Sequence, residues 1–321
     1  MVRYVLKRLL WMIPVLLGVA IVIFSLLYIT PGDPAQALLG ENPTAEQIAA
    51  KHAELGLDDP YIVQLGRFLK QIFLEFDLGT SYIYKNSVTA EFLVRLPRTI
   101  VIAGICCLMY IVVAIPLGVT AAVHQNKWQD HFCILLSMVT TAIPGFWFAM
   151  ILMLVFSLYL GLLPSFGIGG WEFYIMPCIA AGVSSIGTIA RQTRSQMLES
   201  LHSDYVVTAR SKGVSEQAIR YRHALPNAII PVITSLGNHF GMALGGTVAI
   251  EMVFTFPGVG LYILDAINSR DYPVVRGCVV MLALIFSVVM LAVDLIYAFV
   301  DPRIKAQYEG QHKRRMKKNG Q

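Results

Sequence analysis

The sequence is poor in charged residues. Asp, Glu, Lys and Arg make up 14% of its 321 residues, whereas soluble domains carry about 25%. Hydrophobic residues account for 56% of the chain, and the mean hydropathy is +0.63. This composition excludes an ordinary soluble enzyme or binding module and predicts an integral membrane protein.

The sequence also lacks the motifs of a nucleotide-binding or hydrolytic site. It contains no G-x-x-x-x-G-K-[ST] loop, no H-E-x-x-H pair and no readable Ser/His/Asp set. We therefore predict no catalytic residue and no cofactor bound by this chain. The cysteines form no C-x-x-C pair and lack metal-ligand spacing, so we interpret them as small core residues: Cys106, Cys107, Cys133, Cys178 and Cys278.

Six apolar stretches are long enough to span a membrane, which takes about 20 residues. The first is longer than a usual signal-peptide core and precedes no clear cleavage site, so we expect it to be retained. The fourth is rich in Gly, Ser and Ala, which suits a helix packed among other helices. The sequence predicts an all-α integral membrane protein with six transmembrane helices, at about residues 9–30, 99–123, 132–160, 171–190, 228–250 and 277–300.

Basic residues predict the orientation, because Lys and Arg favour the cytoplasmic side of a membrane. They precede the first span, follow the fourth and fill the tail, and six crossings place these three regions on one side. Both termini are therefore expected in the cytoplasm. The same distribution argues against a nucleic-acid partner despite a net charge of +5. The predicted regions are 1–30 (N-terminus and first span), 31–98 (extracytoplasmic), 99–300 (core) and 301–321 (basic tail).

The extracytoplasmic region carries helical signals. Pro43 and Thr44 resemble a helix start, and residues 61–76 repeat apolar residues at helical spacing. We predict a small cap of two or three helices near the membrane surface. A further amphipathic stretch, 261–267, is expected on the same side.

The loop at residues 191–227 is long, amphipathic and basic. Ser203 and Asp204 offer a helix cap, and Gly213 a C-terminal stop, for a short helix over 205–211. A second capped helix is predicted from Ser215, with Pro226 at the entry to the fifth span. Such a helix, lying across the membrane face, would present side chains to a soluble partner.

This loop resembles the EAA loop of bacterial ABC-importer permeases, whose pattern is Glu-Ala-Ala, three residues, Gly, nine residues and Ile-x-Leu-Pro. The sequence keeps Ala209, Gly213, Leu225 and Pro226 at that spacing. It departs from the pattern at three positions, Val207, Thr208 and His223, as does the peptide and nickel branch of these permeases. Further motifs similar to that branch start at Pro31, Phe256, Arg270 and Asp301.

The resemblance implies an inner-membrane permease subunit that forms half of a translocation pathway. The implied protein partners are a second homologous permease, two ATPase subunits that hold ATP and Mg, and an extracytoplasmic binding protein or lipoprotein. Membrane lipid would surround the spans. The branch favours a heterodimer of permeases. The helix from about Asp204 to Ser211 would sit in a groove of an ATPase subunit. The residues implied in coupling to the ATPase are Asp204, Tyr205, Thr208, Ala209, Arg210, Lys212, Gly213, Leu225 and Pro226.

The fifth span carries the candidate pathway residues. A histidine inside a spanning helix is costly unless it is paired or faces water, and His239 shares a helix face with Met242. These two residues would suit transient contact with a soft or borderline cation, although His239 could equally be a satisfied polar residue at a helix contact. Glu251 ends the span as an outer gate or an interface charge. Gly237, Gly241 and Gly245 form a small-residue ridge for helix packing.

Two cargoes fit the branch, namely short peptides and nickel, free or chelated. The short outer loop with Gly169, Gly170 and Trp171, and the glycines around His239, lean slightly to nickel. Two other classes are weaker. An intramembrane hydrolase should show paired catalytic residues at membrane depth. An ion-coupled secondary transporter usually shows inverted repeats and paired intramembrane acids, whereas the acids here gather near the span ends.

Overall fold

The structure, a computed structural model, describes residues 2–40 and 42–300. These residues form helices and one isolated antiparallel bridge, between Thr80 and Ser87, which confirms the all-α class. The predicted basic tail, 301–321, lies outside the described residues. In chain order the helices are α1 Val2–Ile29, α2 Pro34–Leu39, α3 Ala45–Leu55, α4 Tyr61–Phe73, α5 Val88–Val123, α6 Trp128–Ala142, α7 Gly145–Tyr159, α8 Glu172–Leu201, α9 Asp204–Ser211, α10 Glu216 to Gly246, α11 Val248–Val253, α12 Val259–Asn268 and α13 Tyr272–Val300.

Five helices (α1, α5, α8, α10 and α13) are each long and apolar enough to cross a membrane. Two of them start well before the predicted spans, because α5 begins at Val88 and α10 at Glu216. Local π-helical turns lie within α5 at Tyr110–Ala114 and within α10 at Ile219–Ala224.

The predicted third span, 132–160, is wrong as a single helix. The structure has α6 and α7 instead, bent by 93° at a break between them. Pro144 lacks a backbone N–H and disfavours helical geometry in the residue before it; Ile143 is accordingly extended, with φ −84° and ψ 119°. The count reaches six spans when this bent pair is taken as one.

The chain divides into two compact units, of which the first comprises residues 3–100 and 244–287. It contains the helical cap predicted after the first span, as α2, α3 and α4. Thr44 starts α3 with a reciprocal capping box to Gln47. On α4, Phe68 and Ile72 are buried against Phe24 of α1, which explains its amphipathic pattern.

The second unit comprises residues 2, 101–243 and 288–300 among those described. Its central element is α8, the small-residue span, which packs on α6, α7 and the C-terminal part of α5. At Gly187 of α8 an added Cβ would lie 2.5 Å from the Ser137 Cα of α6. The backbones of α8 and α6 are therefore in close contact at this point, as the Gly, Ser and Ala content of the span predicts.

Candidate coupling surface and translocation pathway

The helix α9 has one buried and one exposed face. Val206 and Ala209 are buried and pack with Ile219, together with the partly buried Leu201 and Val214. The opposite face is exposed and mixes apolar, hydroxyl and charged groups, from Asp204, Tyr205, Val207, Thr208, Arg210 and Ser211. Ala209 therefore anchors the helix to its own chain, and the exposed side chains form the surface that a partner could contact.

The two ends of α9 are capped in different ways. Ser203 occupies the N-cap position, but its side chain makes no capping bond and its hydroxyl donates to the Ser200 carbonyl instead; the predicted side-chain cap is wrong. Gly213 follows the helix with φ +76°, a conformation that glycine adopts without a steric cost. Its N–H donates to the Arg210 carbonyl at 2.9 Å, and the exposed Lys212 precedes it.

A two-pronged ion pair connects α9 to the next helix. The Arg210 Nε and Nη2 atoms donate to the Glu216 carboxylate at 2.8 and 3.2 Å, and this hydrogen bonding raises the pKa of the Arg210 guanidinium. On the other side, the Tyr205 hydroxyl lies 2.7 Å from the Ser200 hydroxyl, which itself donates to the Ala224 carbonyl. These bonds hold α9 between the end of α8 and the start of α10.

The predicted loop 191–227 is shorter than expected, because its first part continues α8 to Leu201 and its last part belongs to α10. Pro226 does not mark a helix entry. The helix passes through it, since a π-helical turn precedes it and the Leu225 N–H bonds to the Arg220 carbonyl, one residue further back than in an α-helix. Leu225 packs among Val119, Ala224 and Ala228, while Pro226 is exposed.

His239 and Met242 lie in different surroundings on α10. The His239 ring is partly buried and meets the Tyr110 ring edge-to-face, with centroids 5.9 Å apart. Met242 is 67% exposed. Within residues 2–40 and 42–300, no three His, Cys, Asp or Glu side chains lie close enough to hold a metal ion. His239 is therefore seated at an aromatic helix contact.

The glycine ridge of α10 is not uniform. Gly237 is buried, and a Cβ added there would overlap the side chain of Val293 on α13. Gly241 is also buried, but Gly245 is exposed and its added Cβ would meet nothing within 4 Å. Close helix packing is thus present at Gly237.

Glu251 is fully buried in the unit that contains it. Its carboxylate accepts from the Thr99 and Thr247 hydroxyls at 3.1 and 3.0 Å and from the Leu261 N–H at 2.8 Å. Burial raises the pKa of this carboxyl, and the hydrogen bonds oppose that effect. An added Cβ at Gly258 or Gly260 would meet the same carboxyl group. This geometry favours an internal anchor for the turn before α12 over an open gate.

Sequence reasoning missed one polar pair. Arg194, read from the sequence as a topology signal, lies inside α8 and forms an ion pair with Asp130 of α6. The two residues are 64 positions apart, so no local pattern indicates the pair. An acid in the first turn of one apolar helix and an arginine near the end of another are the only signals the sequence offers.

Comparisons with known proteins agree on one family. Residues 114–306 match the family model described as binding-protein-dependent transport system inner membrane component, and residues 1–103 match the model of its N-terminal part. A dipeptide transport system permease protein DppB from Alkalihalophilus pseudofirmus is 39% identical, over 95% of this chain and 100% of that protein. A glutathione transport system permease protein GsiC from Salmonella paratyphi A is also 39% identical, over 95% and 99%.

A solved structure, titled an amino acid ABC transporter with histidines, is 17% identical, covers 67% of this chain and 94% of its own, and has a TM-score of 0.47. The family models together cover most of the chain, and the two relatives align over nearly their whole length. The chain therefore belongs to the binding-protein-dependent transport system inner membrane components, the multi-pass inner-membrane permeases of ABC importers.

Proposed function

We propose that the chain is the permease subunit of an ATP-driven importer of short peptides and forms half of the pathway for cargo delivered by a binding protein. The cargo class rests on its relatives, whose names specify dipeptides and glutathione. None of these names supports the lean towards nickel, so we do not retain it. ATP and Mg would be held by partner ATPase subunits.

The observation that carries the coupling role is the two-faced helix α9. Its inner face is fixed by Val206 and Ala209, while Val207 is 54% and Tyr205 42% exposed. Exposed apolar side chains at the centre of a polar surface are typical of a protein contact. We infer that this face docks in a groove of an ATPase subunit, and that the Arg210–Glu216 ion pair transmits its movement to α10.

The remaining assignments follow from that role. Half a pathway needs a second homologous permease, and a heterodimer is favoured. Met242, which is exposed on α10, would line the pathway, and the partly buried His239 would lie behind it at the Tyr110 contact. With two ATPase subunits attached to α9 and its counterpart, α9 would face the cytoplasm, and both termini would lie on that side.

The docking surface is tested by Val207→Asp in the assembled complex, with ATP hydrolysis measured as cargo-loaded binding protein is added. We expect stimulation to fall about tenfold, the effect of losing roughly 1.4 kcal/mol at a contact. The matched control is Gln217→Asp, which adds the same charge at an exposed site on the next helix. Normal stimulation of the Val207→Asp complex would refute the docking surface.

The cargo is tested separately, by ATP-dependent uptake of labelled dipeptide and of Ni²⁺ into vesicles that contain the complex. We expect dipeptide uptake that requires the binding protein. Uptake of Ni²⁺ with no peptide uptake would overturn the peptide assignment and leave the coupling role intact.

A further inference from the structure

A cavity of about 400 Å³ lies within the unit formed by residues 3–100 and 244–287. Its walls come from the end of α1, the cap helices α3 and α4, and the start of α13. This volume is within the range of sites for small molecules, about 300–1,000 Å³. The side chains that matter below are Phe24, Leu27, His52, Arg67, Phe68 and Arg276.

The cavity lies at a membrane boundary. The spanning helix α1 ends at Ile29 and the spanning helix α13 begins at Tyr272. Phe24 and Leu27 therefore line the cavity on its membrane side, and Tyr28 and Tyr272 lie at the level where spans end. Aromatic residues with a polar tip favour that level. A ligand in this cavity would meet hydrocarbon-like walls at one end and polar walls at the other.

Most charges around the cavity are already balanced. His52 lies 2.9 Å from Asp33 and 3.0 Å from Asp58, and hydrogen bonds to Asp58 and Asp33 raise its pKa. Arg67 is paired with Asp59 at 2.5 Å. Asp33 and Asp58 are thus engaged by His52, and Asp59 by Arg67, so none of these carboxylates is paired with Arg276.

Arg276 makes no direct ion pair, although the charge of the buried Asp271 acts on it from beyond contact distance. It lies one turn into the spanning helix α13, and in the described part of the chain no carboxylate oxygen is within 4.0 Å of its guanidinium. Its contact there is a cation–π interaction, with the guanidinium carbon 4.9 Å from the Phe68 ring centroid. A charged side chain in a spanning helix is costly without a partner, and the planar guanidinium matches a phosphate or carboxylate with two hydrogen bonds.

We propose that this cavity binds an acidic phospholipid, with the phosphodiester on Arg276 and the start of an acyl chain against Phe24 and Leu27. A phosphodiester would supply the anion in direct contact that Arg276 lacks. Its glycerol and headgroup would reach the polar wall of His52, Gln64 and Tyr82. A soluble anion would leave the apolar wall of Phe24 and Leu27 uncovered, whereas an acyl chain would pack against it. A lipid therefore fits the cavity better than a soluble anion.

The test is native mass spectrometry of the full-length chain in detergent, with phosphatidylglycerol and phosphatidylcholine added at equal concentration. We expect the chain to bind phosphatidylglycerol about tenfold more tightly. Both lipids carry the phosphodiester, but the choline cation of phosphatidylcholine cancels its charge and would be repelled by the Arg276 and Arg67 guanidinium groups. Arg276→Met keeps most of the side-chain length and should remove this preference. Arg276→Lys keeps the charge and should retain much of it.

The control is Arg222→Met, the same change at an exposed arginine of the second unit, which should leave the preference unchanged. Thermal unfolding in phosphatidylcholine alone shows whether each variant is folded, and phosphatidylglycerol should raise the Tm of the wild-type chain but not of folded Arg276→Met. Equal loss of preference in both methionine variants would overturn the site. Displacement of phosphatidylglycerol by an equal concentration of soluble glycerol phosphate would overturn the lipid as occupant.

Discussion

Arg194 and Asp130 join α8 to α6 through an ion pair in which Arg194 Nη2 donates to Asp130 Oδ2 at 2.7 Å. Asp130 also accepts from the Asn126 N–H at 2.9 Å, and its side chain is 1% exposed. One carboxylate thus ties the connection before α6 to the end of α8, the helix that leads directly into α9.

Asp130→Ala should destabilise the chain by about 3 kcal/mol, because removing one partner of a buried pair leaves the other charge uncompensated. The free energy of unfolding in mixed detergent micelles measures this effect. Glu216→Ala, which breaks the exposed Arg210–Glu216 pair, is the control and should cost much less stability, because solvent screens an exposed pair. If the two variants lose the same stability, the Asp130–Arg194 pair is not the stronger contact inferred here.

Gly187→Ala should also destabilise the chain, by about 1–3 kcal/mol, as expected for overpacking of a closely packed contact. The new Cβ would lie 2.5 Å from the Ser137 Cα and 3.0 Å from the Ser137 carbonyl oxygen, and backbone atoms cannot move aside as a flexible side chain can. Gly104→Ala is the matched control, since nothing lies within 4 Å of its added Cβ. Unfolding midpoints of the two variants that agree would contradict this packing.

Gly213→Pro should leave the chain inserted in the membrane but abolish stimulation of ATP hydrolysis in the assembled complex. Proline fixes φ near −65°, whereas Gly213 has φ +76° and its N–H bonds to the Arg210 carbonyl. Gly213→Asn is the comparison, because asparagine tolerates this conformation better than most residues and should retain much of the stimulation. Undiminished substrate-driven ATPase in the proline variant would refute a role for this turn in coupling.

The cap should lose stability as pH rises, because hydrogen bonds to Asp58 and Asp33 raise the pKa of His52 above its usual 6.5. The stabilisation is complete below about pH 6.5 and is lost as pH rises through the raised value. At the acidic end, burial raises the pKa of Asp33, but hydrogen bonds from His52 and the Ala35 N–H outweigh it, so the net pKa is below the usual 3.8. That contribution disappears only as pH falls through the lowered value.

The measurement is the Tm difference between wild type and His52→Gln from pH 5.5 to 9, which should shrink as pH rises. The control is His202→Gln, the same change at an exposed histidine outside the cap. A His52→Gln difference that does not change with pH would show that the charge of His52 stabilises nothing.

The sequence alone predicted the elements that follow from periodicity and local caps. The capping signal at Thr44 marks the start of α3, the apolar repeat from Tyr61 corresponds to α4, and the short helix before Gly213 is α9. These features depend on residues within one or two turns of each other. The family also followed from motifs whose spacing is readable along the chain.

Features that depend on distant contacts were not predicted. The Asp130–Arg194 pair, the burial of Glu251 among Thr99, Thr247 and Leu261, and the aromatic seat of His239 all join segments far apart in sequence. Pro144 did carry a local signal for a helix break. Continuous hydrophobicity on both sides nevertheless favours a single span, because a hydropathy pattern measures solubility in lipid and is insensitive to helix direction.

The bend at Pro144 changes what determines the height of the α6–α7 pair. Each arm has 15 residues and is about 22 Å long, short of the roughly 30 Å hydrocarbon core. With a bend of 93° between the two helices, the distance from the start of α6 to the end of α7 is about 31 Å. The pair therefore crosses the hydrocarbon core only when both helices tilt by roughly 45°, which is beyond the usual tilt of spanning helices. The thickness of bilayer that this pair matches is therefore governed by an angle at one proline, where a straight helix would be governed by its number of residues.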